Sequence, residues 1–81
     1  MDNKEWYELV PLEEQSQNSF YGKARVHIND DLSETLYSYG TPIITVYEDG
    51  SMEKLYEGWI ATTGKHIKAF CGLNKKQYLE L

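Results

Sequence analysis

Apolar and polar positions alternate most clearly over residues 20–29. Phe20, Gly22, Ala24, Val26 and Ile28 fall on one side, and Tyr21, Lys23, Arg25 and His27 on the other. A period of two is that of a half-buried β-strand. Asn29-Asp30-Asp31 supplies turn chemistry. A second strand is expected over 34–40, rich in Thr and Tyr and punctuated by Gly40. Thr41-Pro42 opens the next run, and Ile-Ile-Thr-Val-Tyr-Glu at 43–48 is the most β-prone stretch. Asp49-Gly50 then separates it from 52–59, a strong hairpin signal. A two-residue loop pairs Tyr47 with Met52, and a G1-bulge turn shifts the register by one residue and exchanges the faces. Apolar side chains occupy both faces, so both registers stay open. Upstream, Trp6, Tyr7, Leu9 and Val10 suggest a short element ended by Pro11, and residues 13–19 read as a polar loop.

The period changes after Trp59. Thr63, Ile67, Phe70, Cys71 and Asn74 share one face at helical spacing, predicting a helix over 63–71. Thr62 or Thr63 is the expected N-cap, and Gly72 suits the left-handed position that ends a helix. Asn74 and Gln77 resemble a second capping pair, predicting one further turn anchored by Tyr78, Leu79 and Leu81. The elements therefore imply one α+β domain spanning 1–81: a three- to five-stranded antiparallel meander sheet with one C-terminal helix packed on a face.

Eighty-one residues leave little room for a pocket as well as a core, which disfavours an enzyme. The net charge of −5 argues against a general polyanion binder. Charge is uneven, though: residues 1–60 carry a net of −8, and residues 61–81 a net of +3 from Lys65, Lys68, Lys75 and Lys76 against Glu80. Lysines near a helix end suit the macrodipole; they also suit docking onto an acidic surface, including the sheet of a second copy. The one cysteine, Cys71, cannot form an internal disulfide. Residues 1–5 are polar and charged apart from Met1, with no apolar segment behind them, so no signal peptide or membrane span is expected and the cytoplasm is the natural compartment.

Catalytic and metal patterns are missing. His27 and His66 are the two histidines, and neither falls in a zinc-binding spacing. His66 and Cys71 are five apart, about 140° around a helix, so they do not form a nucleophile–base pair. No catalytic, metal or cofactor-binding residue is assigned, and no cofactor is expected. The candidate interaction residues are Tyr37, Tyr39, Tyr47 and Tyr56 on adjacent predicted strands, with Lys65, His66 and Lys68 on the helix. Thr62, Thr63 and Gly64 are a candidate anion site at the helix N-terminus.

Three motifs carry a resemblance: Ser19-Phe20-Tyr21-Gly22-Lys23-Ala24, then Leu36-Tyr37-Ser38-Tyr39-Gly40-Thr41-Pro42-Ile43, then Trp59 with Ala61-Thr62-Thr63, His66-Ile67 and Phe70. Together the chain resembles a family of short uncharacterised proteins met in phages and mobile elements of Firmicutes and other gut bacteria. The resemblance implies a genomic context and no chemistry. The expected function is that of a small non-enzymatic accessory protein acting by protein–protein contact, with a homodimer as one form. The alternatives are an acidic inhibitor of a host nuclease or defence complex, and a weak nucleic-acid binder using the C-terminal lysines. Nucleic acid is disfavoured because few lysines face many carboxylates.

Overall fold

A computed structural model describes residues 5–9 and 23–81. Among the described residues, five strands form one sheet: β1 (Trp6–Glu8), β2 (Ala24–Ile28), β3 (Glu34–Ser38), β4 (Thr41–Val46) and β5 (Met52–Lys54). Their order is β1-β2-β3-β4-β5, each antiparallel to its neighbour. Two helices follow, α1 (Ala61–Cys71) and α2 (Lys75–Leu79). The fold is therefore α+β, with an open antiparallel sheet and a C-terminal helix. The further turn expected after the C-terminal helix is present as α2, which the anticipated Asn74–Gln77 capping box starts. Asn74 Oδ1 accepts the Gln77 N–H at 2.8 Å, and Gln77 Oε1 accepts the Asn74 N–H at 2.9 Å. Phe20, Gly22 and the 13–19 loop lie outside the described residues.

Register sorts the side chains. Val26 pairs with Leu36, and Leu36 with Ile44. All three are fully buried, as are Ala24 and Ile67 of α1. This is the covered face, and burying a side chain of this size contributes about 1.5–3 kcal/mol. Trp6, His27, Thr35, Thr45 and Glu53 pair in one row across the other face. Between Leu36 and Tyr37 the β3–β4 register slips, because Ile44 pairs with Leu36 but Pro42 with Tyr37. Ile43 is the extra residue of this bulge. Strict alternation would send Ile43 and Ile44 to opposite faces, yet both are buried. The bulge also frees the Ile43 carbonyl, which accepts the N–H groups of Leu55 and Tyr56 and the Tyr78 hydroxyl.

The β2–β3 and β4–β5 hairpin turns are copies of one design. In the first, Leu32 N–H donates to the Asn29 carbonyl and Asn29 N–H to the Ser33 carbonyl. In the second, Gly50 N–H donates to the Tyr47 carbonyl and Tyr47 N–H to the Ser51 carbonyl. Asp31 and Asp49 each accept from the N–H and hydroxyl of the serine two residues on. These hydrogen bonds hold both carboxyls below their ordinary range. The left-handed position is Gly50 in one turn and Leu32 in the other, with φ of 91° and 72°. Of the two registers open from sequence, the bulged one forms: Val46 pairs with Met52 and Ile44 with Lys54. The strand expected over 52–59 is paired only through Lys54.

Helix α1 begins two residues earlier than its periodicity implied. Ile60 is the N-cap, with no side-chain cap hydrogen bond, so neither Thr62 nor Thr63 caps it. The helix extends back because Thr63 is needed inside the fold, where it is buried against β3. Gly72 ends the helix in the left-handed conformation anticipated for it, with φ of 82° and its N–H donating to the Lys68 carbonyl.

Candidate functional site

Thr63 and His66 are three apart on α1, so both point at the sheet. They meet Ser38, the last residue of β3. Ser38 Oγ lies 3.0 Å from Thr63 Oγ1 and 2.9 Å from His66 Nδ1. All three side chains are buried, and the imidazole is fully so. Burial holds the His66 pKa below its ordinary value, and the charge of Lys23 lowers it further. A neutral ring satisfies the cluster when the Thr63 hydroxyl donates to Ser38 and the Ser38 hydroxyl donates to Nδ1. Serine beside imidazole is the pairing of an activated nucleophile. Here both groups sit in the core, where the hydrogen bonds tie helix to sheet.

The other face, open at Trp6 and Arg25 although Thr35 and Thr45 are buried on it, carries different chemistry. Trp6 on edge strand β1 sits across from His27, ring centroids 4.6 Å apart, and 5.1 Å from the Tyr37 ring. The Arg25 guanidinium stacks over the Trp6 ring at 4.9 Å. Arg25 also meets Glu8 at 3.7 Å. These side chains stand together because Trp6–His27 and Arg25–Tyr37 are cross-strand pairs. With Lys23 and Gly40, Trp6, Arg25 and Tyr37 border a cleft of about 200 Å³. Below it runs a polar seam: His27 Nδ1 to Asn29 at 2.8 Å, Asn29 to Thr35 at 3.0 Å, and Thr35 to Thr45 at 2.7 Å. Trp6 is 40% exposed, a large indole on an edge strand.

The four tyrosines expected to share a surface are dispersed. Tyr37 lies on the open face. Tyr39 is in the β3–β4 turn at φ 52°, exposed, with its ring 5.8 Å from that of His66. Tyr47 sits in the β4–β5 turn and donates to Glu53 Oε1 at 2.5 Å. This bond, followed by desolvation and the charges of Glu53 and Asp31, raises its pKa. Tyr56 is half-buried, and its carbonyl accepts the Tyr78 hydroxyl at 2.5 Å. Lys65 and Lys68 are exposed on the outer side of α1. They border a shallow cleft of about 290 Å³ beside Trp59 and Leu73, on the opposite side of the helix from His66. Of the candidate anion site, the Gly64 N–H is committed to the Ile60 carbonyl at 2.8 Å and the Thr63 hydroxyl to Ser38, while Thr62 is half-buried.

Two residues central to these sites escape sequence reading. Ser38 and Trp6 have no local mark, because their partners are cross-strand or on the helix. Tyr78 is fully buried, and its hydroxyl donates to the carbonyls of Ile43 and Tyr56. Its place after a capping box identified an anchor, though Leu79 and Leu81, expected beside it, are exposed.

Among the described residues, no helix is long and apolar enough to cross a membrane, and no group of three or more His, Cys, Asp or Glu side chains is placed to hold a metal ion. Comparison with curated proteins and with solved structures found no match. A family model does match, over residues 7–79, which include every described strand and helix except Trp6 at the edge of β1. The chain belongs to the family of unknown function DUF8033.

Proposed function

We propose that this chain is a small non-enzymatic accessory protein that binds another protein through the open face of its sheet. The observation that carries the reading is the Trp6–Tyr37–Arg25 group. Aromatic residues and Arg are the types enriched at protein interfaces and at their hot spots. An exposed indole on an edge strand costs solubility unless something covers it. The cross-strand pairs hold these groups in place, so docking loses little side-chain entropy. The absence of catalysis is supported by the burial of Ser38 and His66, the pair best suited to it. The resemblance to phage and mobile-element proteins is the ground for seeking the partner in the cytoplasm of a bacterial host.

The test is affinity capture from host lysate on the immobilised chain, in parallel with a Trp6→Ala/Tyr37→Ala variant. The expected result is a host protein retained by the parent and lost from the variant, whose circular dichroism is unchanged. Equal retention by both chains, or none by either, sinks the reading. A salt-dependent shift of single-stranded DNA lost on Lys23→Ala/Arg25→Ala would replace it with base stacking on the same face.

A further inference from the structure

A second site lies at the far end of the molecule, where the C-terminal turn of α1 passes the two hairpin tips. It is a cleft of about 490 Å³, within the range of binding sites. Val46 and Met52 form its sheet wall and Phe70 and Cys71 its helix wall. Burial raises the Cys71 pKa, so this wall is a neutral thiol. Leu32 stands at the rim, 60% exposed on the tip of the first hairpin. Glu34, Tyr47 and Glu48 complete its lining. Glu34 Oε1 accepts the Tyr7 hydroxyl at 2.8 Å. The carbonyl end of the α1 dipole adds negative potential, and Asp31 and Asp49 occupy the adjacent turns. An apolar cleft in an acidic setting calls for an apolar side chain flanked by cations.

The chain carries that chemistry itself, on α2 and the two residues after it. Leu79 and Leu81 are 39% and 47% exposed, next to exposed Lys75 and Lys76 on α2, with Glu80 the one acidic residue of that segment. Within one molecule, α2 is fixed elsewhere: Tyr78 is plugged under Ile43 and Tyr56, and Lys54 Nζ donates to the Leu79 carbonyl. A second copy is not so constrained. Two copies exchanging these ends about a twofold axis make the same contact twice, which closes the assembly. We propose that the cleft between the hairpin tips and the end of α1 receives the Lys75–Leu81 segment of a second copy of this chain, forming a symmetric dimer. This contact is separate from the open sheet face and stands whether or not a foreign partner binds there.

Sedimentation equilibrium of the full chain from about 1 μM to 1 mM tests it. The expected result is a reversible monomer–dimer equilibrium that weakens as salt is raised. Each carboxylate lost from a rim pair weakens one contact by about threefold, and therefore the symmetric dimer by about tenfold. Glu34→Gln and Glu48→Gln should each show that effect, and Leu81→Asp should abolish dimerisation while circular dichroism stays unchanged. The decisive arm is a charge exchange. Chain one carries Glu34→Lys and Glu48→Lys, and chain two carries Lys75→Glu and Lys76→Glu. Each alone should be monomeric, and the mixture should form a heterodimer, since both contacts are then complementary. A parent chain that stays monomeric over the whole range overturns the proposal. So does a dimer indifferent to Leu81→Asp and Glu48→Gln, or a mixture that fails to associate when both chains are folded.

Discussion

Gly64 sits in the first turns of α1 against the indole of Trp59. A Cβ added there would lie 2.3 Å from Cζ2 of that ring and 2.9 Å from two more of its atoms. The ring would have to move by about 1 Å or more to restore ordinary contact. Its freedom is limited, because the indole also packs 5.7 Å from the Tyr78 ring, centroid to centroid. Gly64→Ala therefore sets two effects against each other. Helix propensity favours Ala by about 0.8–1.0 kcal/mol. Overpacking costs about 1–3 kcal/mol. A 2.3 Å contact puts the clash in the upper part of that range, so the net expectation is destabilisation by about 1–2 kcal/mol, or roughly 4–16 °C in melting temperature for a domain this size. The sign should reverse once the ring is gone. In a Trp59→Ala background only propensity remains, and Gly64→Ala should stabilise by about 0.5–1 kcal/mol. The coupling is thus about 2 kcal/mol, well above the 0.3–0.5 kcal/mol scatter of independent sites. Urea unfolding of the four chains, followed by far-ultraviolet circular dichroism, measures it. Equal effects of Gly64→Ala in both backgrounds, or a stabilised single variant, would refute the close approach of helix and indole.

Further expectations concern the anchor, a turn and the buried imidazole. Tyr78→Phe keeps the ring but leaves two carbonyls without its hydroxyl, and should cost about 1–2 kcal/mol in chemical denaturation. A loss below about 0.3 kcal/mol would mean that the hydroxyl does not hold α2 to the bulge. Gly50→Ala has open space around the new methyl, so its cost is conformational alone, about 1 kcal/mol, and Gly50→Asn should recover part of it. Identical melting temperatures for the three chains would contradict the left-handed turn. His66 has its pKa lowered in the folded state. Below the unfolded value of about 6.5 the unfolded chain binds the extra proton. Stability is therefore full above that pH and declines as pH falls through it, until the folded ring protonates as well. His66→Gln should flatten this component; an unchanged stability–pH profile between about pH 7 and 5 would show that His66 does not titrate differently in the two states.

Residue patterns spanning a few positions were legible in the chain itself. The alternation around Ala24 and Val26, the Asp-Gly hairpin, the glycine stop at Gly72 and the Asn74–Gln77 capping box depend on neighbours within a turn or a strand, and each forms as its pattern implied. The α+β class follows from them. Tertiary structure decided what connects distant positions. Thr63 reads locally as a cap, but Ser38, 25 residues away, draws it into the core and the helix starts earlier. His66 reads as a candidate interaction residue, but Ser38 at a separation of 28 makes it part of a buried polar cluster. The hairpin register remained open because both faces of its strands are apolar, and only the sheet's covered face selects between them. The tyrosines looked like one surface since strand adjacency was all that could be read, whereas the β3–β4 bulge and the turns send them to different places. Likewise Leu32 takes a left-handed position that its own preferences oppose. The hydrogen bonds of its turn, shared with the Gly50 turn, impose it. Local propensity is a few tenths of a kcal/mol per residue, whereas burial of one large side chain is several times that, so wherever the two met, packing prevailed.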